Sequence, residues 1–354
     1  MSYKIPLLIP SVPSFEVIAK YLRRIDASKR YSNFGPLETE LRSRLADIWE
    51  VPLENVITAC NATLALQGAI ETSEPSRNPW KVPSWTFVAT PLAIKKAGKP
   101  FSFVDVDSET WRAIFSEDDE NLVDVLPFGD DLDFERLRKK PLTNLVIDAA
   151  ASFAALARPL PKSLHRFAII FSLHTTKLLP AGEGAVMVTN CSEWATAFRS
   201  WTNFGFSTGR KSILFGTNAK LSEYAAAVAL GSLDGFEEVK EKLLKIQSYA
   251  FNISNDLGLE PHPSMRKRLI SPYWILDFKS KDQKLKAKFA LEEYRIESRD
   301  WWEAGCHNEP IFSEQRVSLP KTDLIAANTL GLPMHTQLKK IELDEVKDVL
   351  RIFA

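Results

Sequence analysis

The stretch FAIIFSLHTTKLLPAGEGAVMVT, residues 167–189, decides the fold that this sequence predicts. It contains two short apolar runs, at residues 167–173 and 185–189. Runs of this length and composition are typical of strands that are buried on both faces of a parallel sheet. The stretch therefore predicts two buried strands, and the segment between them, which contains Lys177, is a turn.

The sequence on the amino-terminal side of this stretch alternates between short apolar runs and amphipathic segments. The alternation is typical of an α/β domain with a mostly parallel sheet, because each crossover helix returns the chain to the same edge of the sheet. The predicted strands are NVIT (55–58), FSFVDV (101–106) and NLVI (144–147), and the predicted helices cover residues 37–49, 62–71 and 134–139.

The sequence on the carboxyl-terminal side predicts a smaller unit. Residues 221–245 form a long helical pattern that is interrupted near Gly235, and such a segment often links a core domain to a second one. Beyond it lie about 110 residues, an ordinary length for a small domain. They contain a strand-like run at 273–278 and helical patterns at 282–294 and near 343–353. We therefore predict a large α/β domain over residues 1–240 and a small α+β domain over residues 241–354.

Composition excludes several classes of protein. The chain has 354 residues, of which 45% are hydrophobic and 25% charged, so it has the material for a sizeable core and is not disordered. Its 45 basic residues equal its 45 acidic residues. A nucleic-acid-binding protein usually has a basic excess, because affinity comes from neutralising phosphates. The equal charges therefore predict that this chain does not bind nucleic acid.

The sequence also predicts a soluble, cytoplasmic protein with free thiols. Its 3 cysteines are too few and too scattered for a disulfide framework or a zinc site. No apolar run approaches the roughly 20 residues that span a membrane, and the amino terminus lacks the features of a signal peptide. The histidines have no metal-ligand spacing, so we predict no metal site. Neither of the glycine-rich nucleotide-binding motifs occurs, so nucleotide binding through such a loop is not predicted.

Lys177 is the first candidate for chemistry. Between residues 167 and 182 the ionisable side chains are those of His174 and Lys177. Burial beside an apolar core lowers the pKa of an ammonium group, and the neutral amine can form a Schiff base with a carbonyl compound. The alternative is a lysine that extends from its loop into solvent.

Asp148 is the second candidate, because it ends a buried strand and is the charged residue between Lys140 and Arg158. Ligands bind at the carboxyl ends of the strands in open α/β sheets, and a buried carboxylate needs a cationic partner. A lysine that binds pyridoxal phosphate needs, elsewhere, an acid against the pyridine nitrogen. The alternative is that Asp148 caps the following helix.

Two further features are suited to a flat, phosphorylated cofactor. Ala62 and Thr63 open a predicted helix, where free backbone N–H groups bind phosphate, and the Thr63 and Ser172 hydroxyls add donors. Helix capping alone is the alternative role for Asn61 or Thr63. Phe87 could stack on a ring if it lies at a strand end, although core packing is the commoner role of a phenylalanine.

Together these segments make the chain resemble the DegT/DnrJ/EryC1/StrS family of pyridoxal-phosphate-dependent sugar aminotransferases. The resemblance covers most of the chain, and the segment around Lys177 is its most specific part. The matching segments are NFGPLETEL (33–41), CNATLALQGAI (60–70), PSWTFVATPLAIKKAGKPFSFVDVD (83–107), VIDAAASF (146–153), FSLHTTKLLPAGEGAVMVT (171–189), GTNAKLSEYAAAVAL (216–230) and LPMHTQL (332–338).

The resemblance implies the transferase fold type I and a homodimer with shared active sites. It also implies a role for each matching residue, with Lys177 as the Schiff-base lysine and Asp148 as the acid at the pyridine nitrogen. Phosphate binding is implied for Ala62, Thr63, Ser172 and, from the neighbouring subunit, Asn218; ring stacking is implied for Phe87. The segment at 295–310 resembles the substrate-side loop of nucleotide-sugar members, which makes Arg299 and His307 candidates for substrate binding.

Two positions near the expected cofactor site depart from the family pattern. The family often has Gln or His three residues after the acid, against the cofactor's ring hydroxyl, and this chain has Ala151. Ala62 also replaces the common glycine of the phosphate-binding pair, a change that backbone donation tolerates. Ala151 therefore removes a side-chain contact on one face of the cofactor and leaves the lysine chemistry in place.

The function implied is a two-stage amino transfer. Glutamate is the expected donor and a 3- or 4-keto nucleotide-linked deoxysugar the expected acceptor, for amino-sugar and surface-polysaccharide synthesis. Two rival interpretations stay open, namely a lyase or dehydratase that uses the same cofactor and a non-catalytic regulator that binds the cofactor or a sugar. The first is disfavoured because relatives of that kind often lack the lysine that stands here at position 177.

Overall fold

The computed structural model describes residues 3–138, 142–160, 166–207 and 209–353. Its larger sheet contains seven strands within these residues, and its smaller sheet contains three. The strands of the larger sheet are β1 (Val56–Ala59), β2 (Trp80–Pro83), β3 (Phe101–Val104), β4 (Asn121–Val125), β5 (Asn144–Asp148), β6 (Phe167–Ser172) and β7 (Ala185–Thr189). Those of the smaller sheet are β8 (Glu260–Pro261), β9 (Trp274–Asp277) and β10 (Thr329–Leu332).

The larger sheet is mostly parallel. Its strand order is β1-β7-β6-β5-β4-β2-β3, and β7 alone runs antiparallel to its neighbours β1 and β6 among the described pairings. The four pairings from β3 through β2, β4 and β5 to β6 are parallel. The carboxyl ends of β4, β5 and β6 therefore meet at one edge, and the prediction of an α/β fold with a mostly parallel sheet is confirmed.

Helices cover both faces of this sheet, which explains why β4 to β7 are buried along their whole length. The described helices are α1 (Phe15–Ser28), α2 (Pro36–Trp49), α3 (Ala62–Glu71), α4 (Ala89–Lys96), α5 (Phe134–Arg138), α6 (Phe153–Leu156), α7 (Ser192–Trp201), α8 (Glu223–Asp234), α9 (Phe236–Asp256), α10 (Pro263–Arg266), α11 (Lys281–Glu293), α12 (Pro320–Asn328) and α13 (Lys340–Leu350).

Several helix boundaries agree with the sequence pattern, and the reasons are local. Asn61 caps α3 by accepting a hydrogen bond from the N–H of Leu64 at 2.9 Å, and Ser222 caps α8 in the same way through Ala225 at 3.1 Å. The predicted interruption near Gly235 is confirmed, because α8 ends and α9 begins on either side of it. The predicted helix at 134–139 is α5, and residue 139 lies outside the described residues.

The smaller sheet packs with α9, α11 and α13 around a second core. Leu243, Trp274, Leu291 and Val346 belong to this core, and so does Ile5 from the other end of the chain. Ile5 pairs with Ile296 as an isolated parallel bridge. The segment around Ile5 therefore packs on the carboxyl-terminal part of the chain, although the predicted boundary assigns it to the large domain; the boundary near residue 240 stays a prediction.

The remaining global features concern membranes and metals. None of the helices in the described ranges combines the length and the apolar character needed to cross a bilayer. Across the same ranges, His, Cys, Asp and Glu side chains form no group of three or more that could hold a metal ion.

Candidate active site

Asp148 is a buried carboxylate at the carboxyl end of β5. Its side chain accepts hydrogen bonds from Thr90 Oγ1 to Oδ2 at 2.7 Å and from the N–H of Ala150 to Oδ1 at 3.1 Å, and the residue is 7% exposed. No ion pair joins it to another of the described residues. Burial raises the pKa of Asp148, although the bonds from Thr90 and Ala150 and the charge of Lys177 oppose the rise.

The alternative role of Asp148 as a helix cap does not describe its position. The following helix, α6, begins at Phe153, and its N-cap residue is Ser152. Asp148 instead belongs to the last position of β5 and pairs with Val125 on β4 and Ile170 on β6. Its carboxylate is thus held at the sheet edge by donors of α4 and of the loop after β5.

Lys177 lies in the turn between β6 and β7 and points toward the same edge. The turn is closed by hydrogen bonds from the N–H of Thr175 to Gly182 at 2.8 Å and from the N–H of Lys177 to His174 at 2.9 Å. Lys177 Nζ donates to the Tyr273 hydroxyl at 3.0 Å. The side chain therefore turns inward to a defined partner and does not extend freely into solvent.

The electrostatics of Lys177 differ from the expectation. Burial lowers the pKa of its ammonium, as predicted, but Tyr273 and Asp148 outweigh that effect, so that the pKa of Lys177 is raised. The expectation of a lowered pKa is therefore wrong, because the sequence pattern around Lys177 does not show Tyr273, which opposes the effect of burial more strongly than Asp148 does. The mutual effect of Lys177 and Asp148 also places the two groups within electrostatic range of each other.

The start of α3 and the end of β6 lie at the same edge. Ala59 of β1 and Ser172 of β6 both pair with Ala185 of β7, so the two parallel strands end at the same level. Two strand spacings, roughly 10 Å, separate them. Within the described residues, the N–H groups of Ala62 and Thr63 have no hydrogen-bond partner, and both residues are partly exposed. Asn61, not Thr63, is the cap of α3.

Phe87 is an exposed aromatic side chain next to the buried acid. It is 61% exposed, and its carbonyl accepts a hydrogen bond from the N–H of Thr90 at 3.1 Å. Thr90, in the first turn of α4, is the residue whose hydroxyl binds Asp148, so the ring lies three residues before the donor. Core packing therefore does not describe Phe87, and a flat ligand above the sheet edge has an aromatic surface available to it.

An aromatic cluster on the other side of Lys177 was not predicted. The Tyr273 ring lies edge-on to Phe128, with centroids 5.4 Å apart, and to Trp301, with centroids 5.2 Å apart. Trp302 stacks on Phe128 at 4.2 Å. Tyr273 precedes β9, so the smaller sheet supplies the hydroxyl that binds Lys177, and no local pattern in the sequence connects two residues 96 positions apart.

The three remaining candidates are not brought together with Lys177. Arg299 lies over the Trp301 ring at 5.0 Å, half exposed, beside the aromatic cluster. His307 is buried, with Nδ1 2.6 Å from Ser84 Oγ and Nε2 3.2 Å from Asp323, so both ring nitrogens have partners within the chain. Asn218 is exposed, and its Oδ1 accepts from Lys220 Nζ at 2.6 Å. Their binding roles stay predictions.

The residues at the sheet edge fit pyridoxal phosphate. Among the described residues no cation forms an ion pair with the buried Asp148 carboxylate, so a protonated ring nitrogen would supply that pair, and Lys177 offers an amine to a carbonyl carbon. The free N–H groups at the start of α3 are suited to the phosphate, and Phe87 to the ring. Ala151 offers no side-chain donor or acceptor, as the sequence predicts.

Comparison with known proteins gives consistent findings. The model of the DegT/DnrJ/EryC1/StrS aminotransferase family matches residues 15–351. Protein Rv3402c of Mycobacterium tuberculosis is 28% identical over 374 aligned positions, which cover 99% of this chain and 89% of that protein. The UDP-2-acetamido-2-deoxy-3-oxo-D-glucuronate aminotransferase of Pseudomonas aeruginosa is 25% identical and covers 86% of this chain and 87% of its own. The crystal structure of DesI in the presence of its TDP-sugar product superposes with a TM-score of 0.86 at 29% identity, covering 99% of this chain and 93% of that chain.

Proposed function

Because the chain belongs to the DegT/DnrJ/EryC1/StrS aminotransferase family, we propose that it transfers an amino group from glutamate to a 3- or 4-keto deoxysugar carried by a nucleotide. The chain is a pyridoxal-phosphate-dependent aminotransferase with the fold of that class. Its product would be an amino sugar for a surface polysaccharide or a glycosylated metabolite. The nucleotide-linked sugar is inferred from two similar proteins, one an aminotransferase of a UDP-linked 3-oxo sugar and the other crystallised with its TDP-sugar product.

The observation that carries the proposal is the combination of Lys177 with Asp148, a buried acid that has no ion-pair partner among the described residues. A buried carboxylate without a cation costs several kcal/mol, so a fold that keeps one usually has a ligand to complete it. Thr90 and Ala150 orient the carboxylate, and Phe87 lies three residues before Thr90, where its carbonyl accepts from the Thr90 N–H. When bound, pyridoxal phosphate supplies an electron-withdrawing ring and a carbonyl carbon that carries the amino group between the two substrates.

In this proposal each residue of the site has a separate role. Lys177 Nζ would hold the cofactor's carbonyl carbon and, once released from it, would move the proton from one carbon to the other as base and then as acid. Asp148 would keep the ring nitrogen protonated. The N–H groups of Ala62 and Thr63, the hydroxyls of Thr63 and Ser172, and Asn218 of the neighbouring subunit in a homodimer would bind the phosphate.

Substrate binding would occur next to the aromatic cluster. Arg299 is the candidate for the nucleotide diphosphate, because its guanidinium lies at the exposed rim of Trp301. A direct substrate contact by His307 would require one of its ring nitrogens to leave Ser84 or Asp323. A role for His307 in fixing the loop that carries Trp302 accounts for the same contacts.

The first test identifies the lysine. Borohydride treatment of the cofactor-loaded protein should fix the cofactor to the chain, and mass spectrometry of the peptides should place it on Lys177. The variant Lys177→Ala should fold, as circular dichroism would show, but should lose both the covalent cofactor and transamination. A cofactor adduct on another lysine, or turnover by Lys177→Ala, would refute the assignment.

The second test identifies the reaction. The protein is incubated with glutamate and a panel of 3- and 4-keto nucleotide sugars, and amino-sugar and 2-oxoglutarate formation are measured together. Equal amounts of both products are expected. Loss of water from the sugar without an amino product would indicate a lyase or dehydratase, and binding without turnover would indicate a regulator.

A further inference from the structure

Tyr273 makes a contact that the roles above do not use. Its hydroxyl lies 3.0 Å from Lys177 Nζ, and the residue is only 7% exposed. Asp148 acts on Lys177 through its charge, and hydrogen bonds from Thr90 and Ala150 already bind its two oxygens. Tyr273 and Asp148 are the ionisable groups that act on Lys177 among the described residues, and Tyr273 alone of the two is hydrogen-bonded to it.

The Tyr273 hydroxyl is held in a fixed position. The backbone carbonyl of Tyr273 is 2.9 Å from His262 Nε2, and the backbone N–H of Tyr273 donates to Ser271 Oγ at 3.1 Å. The ring is enclosed by edge contacts with Phe128 and Trp301. Since both the backbone and the ring are restrained, the hydroxyl has little freedom to leave Lys177, and it restricts where Nζ can lie.

We infer that Tyr273 is a positioning residue that holds the Lys177 amine in place through both of its protonation states; this inference rests on the proposed function. A lysine that carries a proton between two carbons alternates between an ammonium and a neutral amine. A phenol can serve both states, because its oxygen accepts from the ammonium and its O–H donates to the lone pair of the amine.

The proton balance requires no further group. When Lys177 takes a proton, one N–H of the ammonium donates to Tyr273 Oη, and the phenol rotates its own hydrogen away. When Lys177 gives the proton up, the Tyr273 O–H donates to the nitrogen lone pair. The phenol keeps its proton throughout. The distance between Tyr273 Oη and Lys177 Nζ therefore stays constant while the proton passes from Lys177 to the acceptor carbon.

The variant Tyr273→Phe tests this inference, because it removes the hydroxyl and keeps the ring in its cluster. Tyr249→Phe is the matched control, since it removes a hydroxyl that binds Asp344 elsewhere in the carboxyl-terminal part of the chain. The first measurement uses the full chain freed of cofactor. Its lysines are modified by formaldehyde and borohydride over a range of pH, and the Lys177 peptide is quantified by mass spectrometry. We expect the pKa of Lys177 to fall in Tyr273→Phe, because the neutral phenol binds the charged ammonium more strongly than the neutral amine and this preference is then lost, and to stay unchanged in Tyr249→Phe.

The second measurement uses the cofactor-loaded enzyme. Loss of a hydrogen bond to a charged group should lower kcat roughly tenfold to a hundredfold, with little change in KM, because the hydroxyl that is removed binds Lys177 and the ring stays in its cluster. The midpoint of the kcat–pH profile should move in the same direction as the pKa of Lys177. A merely structural role of Tyr273 would lower thermal stability and leave both pH profiles in place.

The outcomes separate this inference from the proposed function. An unchanged Lys177 pKa and an unchanged kcat in folded Tyr273→Phe would overturn the inference. Absence of a borohydride-fixed cofactor on wild-type Lys177 would overturn the proposed function, whereas the modification profile of the cofactor-free chain still measures the Tyr273 bond. If Tyr273→Phe does not fold, 4-methylphenylalanine introduced at position 273 keeps the ring and fills the volume of the hydroxyl but offers no donor or acceptor, and the same shift in the Lys177 profile is expected of it.

Discussion

Asp124 and Asp148 lie on neighbouring strands of one sheet and are both buried, but they have opposite surroundings. Asp124 pairs with Ile147 in the register of β4 and β5, and Asp148 with Val125, so the two carboxylates point to opposite faces of the sheet. Asp124 binds Arg112 Nη2 at 2.5 Å and also Arg136. Asp148 has hydroxyl and N–H donors but no cation among the described residues.

The pKa values of these two acids follow from that difference. Burial raises the pKa of both carboxyl groups, but at Asp124 the charges of Arg112 and Arg136 prevail, and the pKa is lowered. At Asp148 burial prevails, and the pKa is raised. Asp124 thus has its compensating cations within the chain, whereas Asp148 forms no ion pair among the described residues, and we expect a positively charged ligand group to complete it.

The largest effect on stability is expected from Asp124→Asn. Removing this carboxylate leaves Arg112 and Arg136 buried with less compensating charge, which should lower the free energy of unfolding by about 3–5 kcal/mol. Urea unfolding followed by circular dichroism measures the change. Asp256→Asn is the control, because Asp256 binds Lys347 at 2.6 Å with 57% of its side chain exposed, and its loss should cost about 0–1 kcal/mol. A similarly small loss of stability in Asp124→Asn would show that the buried ion pairs of Asp124 contribute no more than an exposed pair.

Asp148→Asn should affect activity and not stability. The amide keeps a carbonyl acceptor for Thr90 but cannot hold a positive ring nitrogen, so kcat should fall by about 10²–10³-fold. The cofactor-free variant should unfold at the same or a higher urea concentration than wild type, since an uncompensated buried charge is removed. Steady-state turnover and urea midpoints of the same preparations provide both readouts. Full turnover in the folded variant would show that Asp148 does not act on the cofactor.

The position of Asp148 at the end of a buried strand could be predicted from the sequence, whereas the position of Asp124 within one could not. Asp148 follows an uninterrupted apolar run, NLVI, so that the strand and its terminal acid are visible together. Strand β4 was not predicted, because Asp124 places a charge inside its short run, NLVDV. That charge is tolerated in the core because Arg112, twelve residues away in the sequence, binds it. Strand β2 was missed as well, since Lys81 and Pro83 obscure a four-residue run.

The same distinction applies to the active site. The placement of Lys177, Asp148 and the start of α3 at one sheet edge was predictable because each lies at or just after the end of a strand, and parallel strands bring their carboxyl ends to one edge. Tyr273 and the raised pKa of Lys177 were not, because they depend on how the smaller sheet docks on that edge. A contact between distant segments leaves no periodic pattern in either of them.

Titration of the cofactor-free protein should separate the two acids by sign. The raised pKa of Asp148 means that its contribution to stability is present below the unfolded pKa of about 4 and is lost as pH rises through the folded pKa. The lowered pKa of Asp124 means that its contribution is present above the unfolded pKa and is lost as pH falls through the folded pKa.

The measurement is urea unfolding of wild type and both Asn variants from pH 3 to pH 8. As pH rises, the stability of wild type relative to Asp148→Asn should decrease, and that of wild type relative to Asp124→Asn should increase. Since each variant is compared with wild type at the same pH, the other titrating groups cancel to first order. Equal signs for the two differences would mean that the surroundings of the two acids do not control their protonation.

The smallest effect is expected from Lys267→Met, at the exposed end of the charge network around Asp124. Lys267 Nζ lies 2.8 Å from the buried Asp130, but 46% of the lysine side chain is exposed, and Arg112 Nη1 also binds Asp130 at 3.2 Å. Loss of Lys267 therefore leaves Asp130 with a buried cation, and the cost should be about 0.2–1 kcal/mol, as for an exposed pair. Urea unfolding measures it beside Asp124→Asn. A cost of about 3 kcal/mol or more would show that Arg112 does not suffice for both acids, and Asp130 would then depend on an exposed lysine for its charge balance.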